Sequence, residues 1–293
     1  MAEPRVSSEA FAAAVDRLCA HRARPVVVKL GGSAMEDPVA TDACLRSVAT
    51  LNRLGVPVVL VHGGGKPIDR AMAEAGITPR KVAGRRYTDD ATLEIVVRVL
   101  RELNTGLTRR LEALGADASA MIEADHYPLK GALLQLSGPR KTPIDLGWVG
   151  SVSEVDTTEF EWRLRECGEI PVIPSLATAG TSPNGWLNVN ADTAAAAVAG
   201  ALKADMAIFL TDTPGVLRDR SDPKSLIPQL TERECRDLIA SGVIDGGMVP
   251  KVEACFEALE AGATSALILD GRVPYSLLDV FLHDTFTGTA ITR

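Results

Sequence analysis

A chain of 293 residues can bury a large core in one domain or two lobes, and 46% hydrophobic with 24% charged residues is an ordinary soluble composition. The formal net charge of −7, with no clustered Lys and Arg, excludes nucleic acid as the main partner, because phosphate neutralisation needs a cationic stripe. Cys19, Cys44, Cys167, Cys235 and Cys255 lie far apart with no C-x-x-C pair, the N-terminus shows no basic-then-apolar signal, and no apolar run reaches the roughly 18 residues of a membrane span, which together read as a soluble cytoplasmic protein with reduced thiols and no membrane partner.

Phe11, Val15 and Leu18 recur at helical spacing and predict an amphipathic helix over 7–22, within an N-terminal element (1–24) that must pack on something. Val26–Leu30 and Val56–Val61 read as continuous apolar strands, with a helix over 39–54 between them that ends at Gly55 and Pro57. Strand, helix, strand with fully apolar strands predicts a parallel sheet covered on both faces. Pro67 suits the first turn of the next helix and Gly76 its end. Leu93, Val96, Leu100, Leu103, Leu107 and Leu111 form one stripe on a helix over 91–114, stopped by Gly115. Residues 117–160 break into short alternating pieces with turn residues around Ser137–Pro143, which predicts β-hairpins rather than further βαβ units. Alternation returns with strand Ile170–Pro174, an Ala-rich helix over 191–202 and strand Met206–Thr211. A turn at Asp212-Thr213-Pro214-Gly215, helices near 231–241 and 250–261, and strand Ala266–Leu269 complete the pattern. The expected fold class is α/β: a three-layer α/β/α sandwich on a mostly parallel open sheet, in two lobes.

Val58-Val59-Leu60-Val61-His62-Gly63-Gly64-Gly65 runs a strand into three glycines, and Val26-Val27-Val28-Lys29-Leu30-Gly31-Gly32-Ser33 does much the same earlier. Gly loses the most conformational entropy on folding, so such runs need a reason, and a close backbone approach to a ligand is one. A Walker loop fails here, since Leu60 and Pro67 stand where its Gly and its Ser or Thr belong. A dinucleotide fingerprint fails at Ile68, where its third glycine belongs. A dehydrogenase therefore survives only as a rival that nicotinamide binding would test. Two parallel strands ending in glycine turns would instead converge their N–H groups at the carboxyl edge of the sheet, ready for an anion. Lys29 adds a point charge there; tight turns and a surface lysine are the bland alternative.

Lys29-Leu30-Gly31-Gly32-Ser33, His62-Gly63-Gly64-Gly65, Asn188-Val189-Asn190-Ala191-Asp192, Leu210-Thr211-Asp212-Thr213-Pro214-Gly215-Val216 and Gly247-Met248-Val249-Pro250-Lys251 come in a fixed order and spacing. In these the chain, from about residue 25 onward, resembles the amino acid kinase family. Gly84-Arg85-Arg86-Tyr87-Thr88-Asp89 and Asp145-Leu146-Gly147-Trp148-Val149-Gly150 narrow the resemblance to members that phosphorylate N-acetyl-L-glutamate in arginine biosynthesis. The resemblance implies ATP with Mg2+ as cosubstrate, no tightly bound cofactor and no metal ligands of the chain's own. It implies that Lys29 and Lys251 flank the phosphoryl group in flight and that Asp192 orients both. Gly31 and Gly32 would face ATP phosphates, with Asp212 and Gly215 beside the nucleotide. Gly64 and Gly65 would give amides to the acceptor side, Arg86 would grip its α-carboxylate, and Asn188 and Asn190 its acetamido side.

The same resemblance assigns 25–200 to an acceptor-binding lobe and 201–293 to an ATP-binding lobe. It makes 1–24 an oligomerisation element of a homodimer or hexamer, with arginine as an effector. Thr285-Phe286-Thr287-Gly288-Thr289 matches the arginine-site segment only in part, 117–140 lacks a glycine-rich stretch seen in relatives, and Lys66 departs from their usual residue. A carboxylate acceptor is ionised at neutral pH and needs no general base, so His62 reads as structural. Asp192 could alternatively be an acid favoured by a helix N-terminus alone. Acetylaminoadipate, glutamate, aspartate, carbamate or UMP as acceptor, or a non-catalytic amino-acid sensor, remain as alternatives.

Overall fold

The computed structural model describes residues 7–31, 35–137 and 142–293. Helix α1 (Ser8–Ala20) is capped by Ser7, whose side chain accepts from the Ala10 amide at 3.0 Å. β1 (Val26–Leu30) is buried throughout, as its unbroken β-branched run requires of a central strand. α2 (Pro38–Arg53) starts from an Asp37 cap with Pro in its first turn and returns the chain to β2 (Val58–His62). α3 (Gly65–Glu74) leaves directly from the glycines, and β3 (Lys81–Val82) pairs with β4 (Arg85–Arg86) as a short antiparallel ribbon. α4 (Asp90–Ala113), capped by Asp89, buries the leucine stripe.

The segment expected to hold only hairpins divides in two. β5 (Ala118–Ala120) joins the main sheet as a parallel edge strand, a correction to the hairpin reading; three small residues carry no periodic signal. β6 (Leu129–Leu133) and β9 (Val149–Val155) do pair antiparallel, with the ribbon β7 (Leu136–Ser137) and β8 (Pro143–Ile144) between them. α5 (Thr157–Glu161) runs on into a π-helical turn at Trp162–Cys167. Then come β10 (Ile170–Pro174), β11 (Leu176–Thr178), β12 (Trp186–Val189), α6 (Ala191–Ala201) and β13 (Met206–Thr211). β14 (Gln229–Thr231), α7 (Glu232–Ala240), α8 (Val249–Ala261), β15 (Ser265–Asp270), α9 (Ser276–Leu282) and β16 (Gly288–Thr292) complete the chain.

Eight strands form one sheet in the order β14-β16-β15-β13-β1-β2-β10-β5, with every neighbouring pair parallel except β15 and β16. Successive residues of β1 point to opposite faces: Val27 enters a core under α6 and α8, while Val26, Val28 and Leu30 enter a second core under α2 and α9. These two cores make the three layers of an α/β/α sandwich. β11, β12, β9 and β6 close into a small barrel above the carboxyl end of β10. Among the described residues no helix is long and apolar enough to cross a membrane.

Register fixes where the site lies. Leu30 is level with His62 and Leu210, and His62 with Pro174, so β1, β2, β13 and β10 end side by side. The turns that follow them share one edge of the sheet, where open α/β folds bind ligands.

Candidate active site

Three side chains from three elements meet at this edge. Asn190 caps α6, its Oδ1 accepting from the amides of Asp192 at 2.9 Å and Thr193 at 3.1 Å, and this holds Asp192 in the first turn. Asp192 Oδ1 lies 2.7 Å from Nζ of Lys29, near the end of β1, and Oδ2 lies 3.2 Å from Nζ of Lys251, in the first turn of α8. Lys29 and Asp192 are each only 6% exposed. Burial alone would push the Asp192 carboxyl up, but Lys29 and then Lys251 outweigh it and hold it below the usual carboxylate range. Burial lowers the Lys29 ammonium, Asp192 opposes that, and Lys251 adds to the lowering. Two cations on one carboxylate leave a surplus positive charge, which suits a polyanion.

The trio stands between two clefts. The first, of about 290 Å³, is lined by Lys29, Gly31, Gly63, Gly64, Gly65, Arg86, Asn188, Asn190 and Asp192 among others. The second, of about 340 Å³, is lined by Asp212, Gly215, Arg220, Asp245 and Lys251 among others. The sequence-derived set is therefore brought together, apart from Gly32, which lies outside the described residues.

Each glycine of the first cleft has its own physical reason. Gly64 caps α3 with no side chain, and a Cβ there would meet Leu100 Cδ2 at 2.8 Å. At Gly65 a Cβ would meet nothing within 4 Å. The α3 N-terminus thus offers amides and a favourable dipole to an anion. Arg86 comes from β4 and donates from Nη2 to the Gly65 carbonyl at 3.0 Å while pairing with Asp69. Asn188 Nδ2 donates to Thr88 Oγ1 at 3.0 Å, and that hydroxyl donates to the Arg86 carbonyl at 2.9 Å, so the strand carrying Asn188 and the ribbon carrying Arg86 are tied.

His62 is fully buried and stands behind the site. Its Nδ1–H donates to the Gly63 carbonyl at 3.0 Å and Nε2 accepts from Asn104 Nδ2 at 3.1 Å. Burial drives its pKa down to about 4, only partly opposed by the Gly63 bond, so the ring is neutral and structural, as expected.

In the second cleft Thr211 Oγ1 donates to Asp212 Oδ1 at 3.2 Å. Gly215 has φ 142°, and a Cβ there would stand 2.6 Å from Thr289 Oγ1. That hydroxyl, on β16, accepts from the Val216 amide at 2.8 Å and donates to the Ile227 carbonyl at 2.7 Å. Among the described residues no group of three or more His, Cys, Asp or Glu is arranged to hold a metal ion.

Sequence reasoning missed Lys81, Arg85 and Ser175 in the first cleft and Arg220, ion-paired with Asp245, in the second. Arg85 had a signal, since it adjoins Arg86 in the same motif. Lys66 does not line the cleft and pairs with Glu36 instead.

Residues 24–270 match the amino acid kinase family, with both clefts' lysines and Asp192 inside the matched span. The chain belongs to the amino acid kinase family. Relatives in it include the acetylglutamate kinase of Synechococcus sp. (strain RCC307), 43% identical over 276 residues that cover 92% of this chain and 88% of the relative. The acetylglutamate kinase of Brachyspira hyodysenteriae is 39% identical over 268 residues, 91% of this chain and 90% of that one. Among solved structures, the N-acetylglutamate synthase of Neisseria gonorrhoeae complexed with coenzyme A and N-acetyl-glutamate has a TM-score of 0.78. That likeness covers 99% of this chain and 64% of the synthase at 23% identity, and so speaks for the amino acid kinase fold alone.

Proposed function

We propose that the protein transfers the γ-phosphoryl group of ATP to the side-chain carboxylate of N-acetyl-L-glutamate, giving N-acetyl-L-glutamyl 5-phosphate for arginine biosynthesis. The observation that carries this reading is the Lys29–Asp192–Lys251 trio standing between two clefts, in a chain 39–43% identical to acetylglutamate kinases. The lining residues of the first cleft end at Asp192 and those of the second begin at Thr211, which supports an acceptor lobe over 25–200 and an ATP lobe over 201–293.

In this reading the acceptor lies in the first cleft. Arg86 takes its α-carboxylate with the planar fork that guanidinium offers, and Asn188 and Asn190 face the acetamido group. ATP, with the Mg2+ it brings, lies in the second cleft beside Asp212 and Gly215. A γ-carboxylate oxygen attacks the γ-phosphorus, the bond to the β-phosphate oxygen breaks, and the electron pair leaves with ADP. No proton moves, because the nucleophile is already ionised. The transition state is loose and rich in charge, so positioning and neutralisation do the catalysis. Lys29, Lys251 and the amides of Gly31, Gly32, Gly64 and Gly65 supply them, and Asp192 keeps the two ammonium groups at a fixed separation.

ADP release with a panel of acceptors tests the reading. Turnover with acetylglutamate that far exceeds turnover with acetylaminoadipate, glutamate, aspartate, carbamate or UMP is expected. ATP binding without acceptor-dependent ADP release would make the chain a sensor, and a faster rate with another acceptor would rename the substrate. Helix α1 is the proposed assembly element, since Phe11 is 65% exposed on it; a monomeric mass in solution would remove that part. Arginine as an inhibitor is part of the same proposal, and a rate that stays flat against added arginine removes it.

A further inference from the structure

Arg86 enters the first cleft from a two-residue strand, which by itself cannot fix so long a side chain. The constraint comes from α3. Arg86 Nη1 donates to Asp69 Oδ1 and, at 3.2 Å, to Met72 Sδ, while Nη2 donates to the Gly65 carbonyl at 3.0 Å. Residues 65, 69 and 72 lie on neighbouring turns of one helix face and together hold both terminal nitrogens. Of the five guanidinium N–H groups, Nε–H and one Nη2–H have no hydrogen-bond partner among the described residues. That is one donor for each oxygen of a carboxylate. Asp69 does not line the cleft and cannot touch what binds there.

We propose that Asp69 is a positioning residue for the acceptor: it clamps the Arg86 guanidinium to α3 so that the two remaining donors present themselves to the acceptor's carboxylate. The inference rests on the reading of Arg86 given under the proposed function. α3 also starts at Gly65, so one rigid helix sets the place of both the amides near the phosphoryl group and the cation that grips the far end of the acceptor. Distance between the two ends is thereby built into a single element.

Asp69 has two opposing effects. Its charge repels an incoming carboxylate, while its bond holds the guanidinium still. The Asp69 side chain is 43% exposed and that of Arg86 12%, so water screens the repulsion more than it loosens the clamp. The clamp wins.

The test uses the full chain with Asp69→Ala and Asp69→Asn. Asp69→Ala should raise KM for acetylglutamate by about tenfold to a hundredfold, the loss expected for one charge-assisted hydrogen bond, with kcat and KM for ATP close to wild type. Asp69→Asn keeps an oxygen acceptor and should fall between. In an Arg86→Gln background neither exchange should raise KM further. Thermal midpoints follow folding in parallel. An unchanged or lowered KM overturns the clamp, and so does a rise that persists in the Arg86→Gln background, since Asp69 would then act by another route. Wild-type turnover of acetylglutamate beside an unaffected Asp69→Ala sinks this inference alone; a wild type inert towards acetylglutamate sinks the functional reading and this one with it.

Discussion

Asp192→Asn keeps the volume of the side chain and the backbone amide that Asn190 caps, and removes only the charge shared by Lys29 and Lys251. Lys29 is 6% exposed, so its ammonium would then be a buried charge without a partner, at a cost of about 3–5 kcal/mol, or would give up its proton. Burial and Lys251 already lower its pKa and Asp192 opposes them, so the exchange drives it further down. Chemistry suffers twice: the two ammonium groups lose their fixed separation, and Lys29 turns neutral at a lower pH. Loss of one preorganised charge-stabilising group is worth about 10²–10³ in kcat. Acceptor-dependent ADP release, followed from neutral into alkaline pH, should show that fall and an alkaline limb displaced to lower pH. The thermal midpoint should drop by roughly 5–15 °C. Wild-type kcat with an unmoved alkaline limb would refute the charge-sharing role.

Lys29→Ala and Lys251→Ala should each lower kcat by at least about a hundredfold while the fold survives, and near-wild-type turnover in either removes that lysine from the chemistry. His62 is held neutral in the folded state, with its pKa brought from 6.5 to about 4, whereas the unfolded chain binds the proton as pH falls below the ordinary value. Its contribution is full above that ordinary value and is lost as pH falls, roughly 2 kcal/mol by pH 5 and about 3 by pH 4. Denaturant titrations at pH 7 and pH 5 should show this slope, and His62→Gln should flatten it by a similar amount. Gly64→Ala, which drives a methyl at the buried Leu100 side chain, should lose about 1–3 kcal/mol of stability. Gly65→Ala meets nothing within 4 Å and should keep its thermal midpoint while its methyl raises KM for the acceptor; a matched loss of stability in both would show that position 65 does not open on the cleft.

What could be read from the residues depended on how long each signal ran. β1 and β2 announce themselves because four or five apolar residues run without interruption into glycine, and α4 because its leucines repeat over six turns. Lys29, Asp192 and Lys251 sit in motifs at the ends of such elements, so they were legible before their 2.7 Å and 3.2 Å contacts were seen. Ala118–Ala120 was misplaced because three small residues have no period, and membership of the sheet is settled by pairing with Ile170–Val172 far along the chain. Lys81 and Arg85 hid for a similar reason, in strands of two residues whose direction depends on each other. Ser175 lies between β10 and β11, where only the tertiary fold brings it to the cleft. Asn190 was read as a ligand residue; its oxygen turns out to serve α6, and the cleft sees it only through the position it lends Asp192.

The loop after β13 takes its shape from a residue that does not line the second cleft. Val216 and Ile227 are both pinned by the hydroxyl of Thr289, 73 and 62 positions further along the chain, on a strand next to the margin of the sheet. A change at position 289 would therefore be felt in affinity for whatever the loop holds, and a search for tighter or altered binders confined to the visible walls would overlook the residue that sets their tolerance to change.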